Sequence, residues 1–516
     1  MSEHIHTPPI ASPPKHQPRV IFWPKNPTTE EASPIPANEA AGLALPGAIE
    51  SVSPKTDALE KMAKHFPNTR HSTAPNLLAA DRGAAVTEID FAGTKVSFLD
   101  VGSEDPQAIA AFFRGEGMSA FVEGPPTNPP YSEEIAAQDK AAAQLAKSEA
   151  TARKAVKKRI AGLSQPQQGY LDPAPLGINA RYAWTSSASG NGDNGGNSNS
   201  NRKNEERRES SEASQGKTWT GVRGQDVQLA DIEQGWQLKH IEIGGRKISW
   251  LNENREFLGH GTAVLGIIAA ENDGVQITGI AHGLETVLAV SQWNKDLYYS
   301  TACAIHEAAG RLLEGDILLI EAQTVELGGS VLLPVEIEEP VFHAIDAAVK
   351  KGIVVIEAAG NGGFDLDNWY DINGQQPLRR RAPGFLDSGA IMVGASLPPH
   401  HALAPFSNRG SRIDCFAWGR RVYTAGDGFR GRSNSDYTAD FTGTSAAAAI
   451  VAGAAALVQS LAKSQRRAPF NSKTMRSLLA NPTYGTLSAD PPNDQIGVMP
   501  DLKRIFTALG VPVPAP

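Results

Sequence analysis

From Val222 onward the chain alternates short apolar runs with helix-like segments, and this alternation limits the fold more than any other feature. Residues 227–230, 286–290, 317–320, 353–356 and 391–393 are mostly apolar, whereas 262–270, 300–313, 340–350 and 445–461 have the length and composition of helices. Strands without polar alternation are buried on both faces. The pattern therefore predicts an α/β fold, a three-layer sandwich with a mostly parallel central sheet. Chemistry in such sheets gathers at the carboxyl ends of the strands.

The N-terminal part reads differently. Residues 1–45 are rich in Pro, Thr and Ser without periodic apolar positions, and are expected to be disordered because they bury too little surface to offset chain entropy. Residues 46–165 read as a small α/β region. Within it, "VTEIDFAGTKVSFLDV" at 86–101 suggests a β-hairpin, and "AIAAFFRGEGMSAFVEG" at 108–124 a helix followed by a strand. A long helix is expected over 132–162, with Glu133 and Glu134 in its first turn, Lys157, Lys158 and Arg159 in its last, and Gly162 as its stop. The rest, 166–516, reads as one larger domain interrupted at 187–216 by a Gly/Asn/Ser tract and mixed charges, a flexible surface insertion.

Composition excludes some functions. The net charge of −8 is spread along the 516 residues, which argues against nucleic acid as a partner because phosphate binding needs a concentrated basic surface. Two cysteines, Cys303 and Cys415, exclude a disulfide framework and a CxxC zinc site. Cys303 lies three residues before His306, a spacing read as a small buried side chain beside a half-exposed histidine. The N-terminus lacks the apolar segment of a signal peptide, and the longest apolar stretch, 446–458, falls short of the roughly 20 residues that span a bilayer. An intracellular protein without a membrane partner is expected, with non-classical export open. No oligomeric state follows.

Chemistry-bearing residues stand where the strands end. "VQLA" runs into Asp231, "LGHGTAVLGIIAA" places His260 at the head of a helix, "GIVVIEAA" runs into Gly360 and Asn361, and "FTGTSAAAAIVAG" puts Ser445 at the start of the alanine-rich helix. Each has an ordinary structural alternative: a turn cap for Asp231, a helix cap for His260 or Ser445, and a left-handed turn position for Asn361. Together they supply a nucleophile, a base, an orienting acid and an oxyanion donor.

In that order the four segments resemble the subtilisin-like serine proteases (subtilases), with "ITGIAHG" and "FSNRGSRIDCFAWG" as secondary matches and about 168–465 covered. The resemblance implies a subtilisin-like peptidase domain over 166–516 and a serine endopeptidase acting on polypeptides. Ser445 would be the nucleophile, His260 the base and Asp231 the acid, with Asn361 and the Ser445 N–H in the oxyanion hole. Ala358, Ala359 and Gly360 would line the S1 wall. Residues 46–165 would be an accessory or propeptide-like region. Many subtilases bind structural calcium at surface loops, and this stays open here because no EF-hand spacing is present; no metal ligand is assigned. A catalytically weak subtilase-like scaffold acting as a peptide-binding or interaction module is the alternative function.

Some positions depart from the family pattern. Glu321 and Gln323 replace an Asn-Met-Ser-type stretch, so P1 preference does not transfer. Glu357 is expected to point away from the pocket. His282, Trp418 and Ala449 stand where proline is common, and Glu233, two residues after Asp231, is expected to be an outward surface charge.

Overall fold

A computed structural model describes residues 168–185, 221–274, 276–294, 299–325, 331–431, 433–465 and 467–511, with N-terminal elements at 19–24, 86–91, 94–100, 106–115 and 118–122. The N-terminal elements are β1 (Arg19–Pro24), β2 (Val86–Phe91), β3 (Thr94–Asp100), α1 (Pro106–Gly115) and β4 (Met118–Val122). They form an antiparallel sheet in the order β2-β3-β1-β4. Helix α1 packs on it with Ile109 and Phe113 buried. The hairpin pairs Val86 with Leu99 and Phe91 with Thr94, as the alternation predicts. Strand β1 departs from the expected disorder of 1–45: "RVIFWP" pairs with both β3 and β4, distant partners that local composition does not reveal. The rest of 1–45, the helix expected at 132–162 and the insertion at 187–216 lie outside the described residues. On either side of that insertion the chain meets itself, the Val222 N–H donating to the Ala183 carbonyl at 2.7 Å.

The large body includes α2 (Ala180–Trp184) and is built on β5 (Gln228–Glu233), β6 (Ile248–Leu251), β7 (Thr286–Ser291), β8 (Ile317–Ile320), β11 (Val354–Ala358), β12 (Ile391–Leu397), β14 (Cys415–Trp418), β17 (Gly485–Leu487) and β18 (Val498–Pro500). Their order is β17-β18-β14-β12-β11-β8-β5-β7-β6, and β13 (Ala402–Leu403) pairs with β12. Every neighbour along this order is parallel except β17 with β18; the β12–β13 pair is also antiparallel. Two ribbons stand apart, β9 (Gln323–Val325) with β10 (Leu332–Pro334), and β15 (Val422–Ala425) with β16 (Tyr437–Phe441).

Helices cover both faces. Leu229, Ile317, Leu319, Val354 and Ile356 share one core with α3 (Leu258–Ala269) and α6 (Thr444–Ser464). Ala230, Ile232, Leu318, Ile320 and Val355 share the other with α4 (Thr301–Arg311) and α5 (Glu339–Lys350). This is the predicted three-layer sandwich with its mostly parallel sheet. Because strand side chains alternate, Asp231, Glu233 and Glu321 fall on the α3/α6 face and Glu357 on the α4/α5 face. Helix α6 has 21 residues and is apolar enough by length and composition to cross a membrane, yet its apolar window is wholly buried inside the fold. Its alanines leave room for the sheet to approach, and Ala449, the sixth residue of the helix, is among them, fully buried in the core.

Two of the positions where the family favours proline carry rings that hold the segment at 168–185. The Trp418 indole donates to the Leu176 carbonyl at 2.8 Å and packs edge-on to Tyr170. The His282 ring stands edge-on to Trp184 at 4.9 Å.

On the far face, Glu357 is fully buried and accepts the Glu336 N–H at 2.9 Å beside a buried arginine, so the expected direction is observed. That arginine, Arg412, donates to both Glu336 oxygens at 2.6 and 2.9 Å and to Asp414 at 3.0 Å. The neighbouring carboxylates hold its guanidinium firmly protonated against the cost of burial. Removing the cation would strand these carboxylates in the core. Arg412→Met is therefore expected to destabilise the domain by about 3–5 kcal/mol, read from the denaturant midpoint at unchanged slope.

Candidate active site

Glu233 is the last residue of β5, and Asp231 lies two residues back on the same face. The strand therefore offers two carboxylates to one region, one at its carboxyl end and one roughly 6.6 Å deeper. His260 is the third residue of α3, whose first turn lies over that end. Gly261 makes the approach close: a Cβ there would stand 2.4 Å from the Gly235 carbonyl oxygen and 2.6 Å from the Trp236 ring. The imidazole reaches the outer carboxylate, with His260 Nδ1 at 2.7 Å from Glu233 Oε1. Phe441 flanks the ring edge-on at 5.2 Å.

Asp231 does not touch His260 in this way. Its Oδ2 accepts the Trp236 indole N–H at 2.8 Å and its Oδ1 is buried without a partner. The expected partner of the histidine is thus replaced by Glu233, which is only 3% exposed and is not the outward charge the sequence suggested. The reason is reach: the deeper, shorter side chain is held inside the sheet, while the longer one stands beneath α3. A signal for this was present: the resemblance implies a Ser/Thr-Gly pair directly after the acid, and Gly235 stands two residues after Glu233 but four after Asp231.

Ser445 is the second residue of α6, 4% exposed. It is not the helix cap. Gly443 takes that position with φ 123°, a conformation that disfavours any side chain, and the first helical N–H, that of Thr444, is met from outside the helix by Asn361 Oδ1. The Ser445 N–H therefore belongs to the first turn, where N–H groups lack intrahelical acceptors.

Asn361 follows β11 and Gly360. Its Oδ1 accepts the Thr444 N–H at 2.9 Å, which fixes the amide so that Nδ2 faces the other way. Nδ2 donates one hydrogen to Gln323 Oε1 at 3.0 Å, an oxygen that also accepts the Asn361 backbone N–H at 3.0 Å. Ala358 and Ala359 are buried, with the Ala359 N–H bonded to Val393. The Gly360 carbonyl accepts from the Asn408 N–H at 3.1 Å.

Electrostatics follow from burial. Desolvation lowers His260 to about 4, partly opposed by the charge of Asp231, so the ring is neutral at ordinary pH. Desolvation raises Glu233, which a Gln234 backbone N–H offsets in part. Asp231 is pushed well above the usual carboxylate range, first by burial and then by Glu233, with the Trp236 N–H opposing. Among the described residues no three His, Cys, Asp or Glu side chains gather as a metal-binding group.

Residues 248–498 match the family profile for subtilases, Peptidase_S8. The chain is 30% identical over 257 residues to the intracellular serine protease of Paenibacillus polymyxa, a match covering 47% of this chain and 70% of that protein. The chain belongs to the subtilase family. This subtilase is also 29% identical over 252 residues to the major intracellular serine protease of Bacillus subtilis (strain 168), covering 46% of this chain and 70% of that one. Among solved structures, a cold adapted subtilisin-like serine proteinase is 20% identical with a TM-score of 0.39, covering 54% of this chain and 88% of that chain. Subtilases of this kind are serine proteases acting on polypeptides. The family match begins at residue 248, downstream of β5, so it leaves the choice between Asp231 and Glu233 to the geometry.

Proposed function

We propose that this subtilase is a serine endopeptidase with Ser445 as nucleophile, His260 as general base and Glu233, in place of Asp231, as the orienting acid. The observation that carries this is the 2.7 Å contact between His260 Nδ1 and Glu233, which leaves Nε2 buried without a partner. A carboxylate on Nδ1–H selects the tautomer whose Nε2 lone pair can take a proton.

In this reading Ser445 Oγ attacks the peptide carbonyl carbon as its proton passes to His260 Nε2. Glu233 accepts from Nδ1–H and stabilises the imidazolium. The oxyanion is met by the Ser445 N–H and by the second hydrogen of Asn361 Nδ2, the first being engaged by Gln323. As the carbon–nitrogen bond breaks, Nε2 returns the proton to the leaving amine. Water then repeats the cycle on the acyl-enzyme. Residues 358–360 would hold the substrate backbone as an extended strand.

Fluorophosphonate labelling of the protein and of Ser445→Ala tests the reading; labelling that persists in the variant sinks it. Asn361→Ala is expected to lower kcat by about 10²–10³ with KM little changed, measured on a peptide substrate. We propose an intracellular site of action, supported by the names of the two bacterial relatives. Residues 46–165 we take as an accessory or propeptide-like region; intact-mass measurement of the purified protein tests it, since a new N-terminus between 160 and 220 marks maturation.

A further inference from the structure

Glu321 follows β8 directly, and its parity places it on the α3/α6 face with Asp231 and Glu233 of the adjacent strand. Its N–H donates to the Ile232 carbonyl at 3.2 Å, which ties it to the end of β5 between the two acids. The side chain is 8% exposed, and neither carboxyl oxygen has a hydrogen-bond partner of good geometry. The groups facing it are Asp231 and Glu233 from β5 and the Ser445 hydroxyl from α6; His260 of α3 stands beyond, bound to Glu233. Among the described residues no lysine or arginine acts on any of the three carboxyls. Three carboxyls in a shared buried space, with only a neutral imidazole beside them, cannot all be ionised. Protons must be retained, and the donors present are already distributed: Trp236 to Asp231, and His260 with the Gln234 backbone to Glu233. Glu321 is the carboxyl served least. Burial first, then Glu233 and Asp231, push it well above the usual range, with Ser445 opposing.

We propose that Glu321 holds a proton in the working enzyme, as a neutral positioning residue beside Ser445, and that loss of this proton produces the alkaline limb of activity. This rests on the reading of Ser445 as nucleophile. A neutral carboxyl can offer its O–H to the serine oxygen and adds no charge near the forming oxyanion. An ionised one places a negative charge beside a centre that must itself become negative. The sign follows: activity is full below the ionisation of Glu321 and falls as pH rises through it, about tenfold per pH unit.

The test is kcat/KM against pH for the wild-type full chain, Glu321→Gln and Glu321→Asn, on one neutral peptide substrate, with folding checked by melting curves. Neither replacement can ionise. The expected result is an alkaline limb in the wild type that moves at least one pH unit higher in each folded variant. A limb at unchanged pH in the folded variants, or no limb in the wild type up to the pH where it unfolds, overturns the proposal. Failure of the nucleophile reading looks different: proteolysis would survive in Ser445→Ala whatever the position of the limb.

Discussion

Ser445→Ala is expected to reduce kcat by on the order of a millionfold while leaving the melting temperature within a few degrees of the wild type. In the proposed mechanism Oγ is the bond-forming atom of the acyl-enzyme, and the oxyanion donors and substrate contacts that would remain supply only a residual acceleration. The fold should be indifferent. Ser445 lies in the first turn of α6 but does not cap it, since Gly443 holds the cap and the Thr444 N–H is bonded to Asn361. Alanine is the better helix former, and the helix is already lined with it. Single-turnover assays with a peptide substrate measure the effect, calorimetry supplies the control, and a variant that keeps more than a thousandth of the activity would remove Ser445 from the chemistry.

The second large effect separates the two acids on β5. Glu233→Gln is expected to lower kcat by about 10⁴, the scale for an orienting acid, because an amide cannot stabilise the imidazolium and presents Nδ1 with a donor as readily as an acceptor. Asp231→Asn should cost about tenfold or less. Its remaining amide oxygen can still accept the Trp236 N–H, and Asp231 is already driven toward its neutral form by burial and by Glu233. The comparison is internal. Both variants remove one carboxylate from the same face of the same strand, so a general electrostatic effect would appear in both, whereas loss of the His260 partner appears in one. A larger loss for Asp231→Asn than for Glu233→Gln would return the role to Asp231.

The route from residues to site was partly legible in advance. The apolar runs declared the parallel sheet, because a strand covered on both faces has no polar alternation to display. The positions of His260, Asn361 and Ser445 were legible too, since each is framed by glycine or small residues that the local backbone requires: Gly261 for close approach, Gly360 before the asparagine, Gly443 before the serine helix. Strand β1 was not legible, because "RVIFWP" pairs with strands about 75 to 100 residues away and the surrounding composition hides it.

By itself, then, the sequence determined the layer architecture, the family, and the segments that meet at the carboxyl ends of the strands, all properties of local pattern and chain order. It also placed Asp231, Glu233 and Glu321 near those ends. Only the tertiary structure decided among them. Which carboxylate touches the histidine depends on how deep each residue sits in the sheet, how far its side chain reaches and which neighbour already occupies its oxygens. Trp236 holds Asp231, α3 sets His260 above Glu233, and Glu321 is left facing Ser445. Distances of a few ångströms across three chain segments set these contacts, and no pattern along one segment carries them.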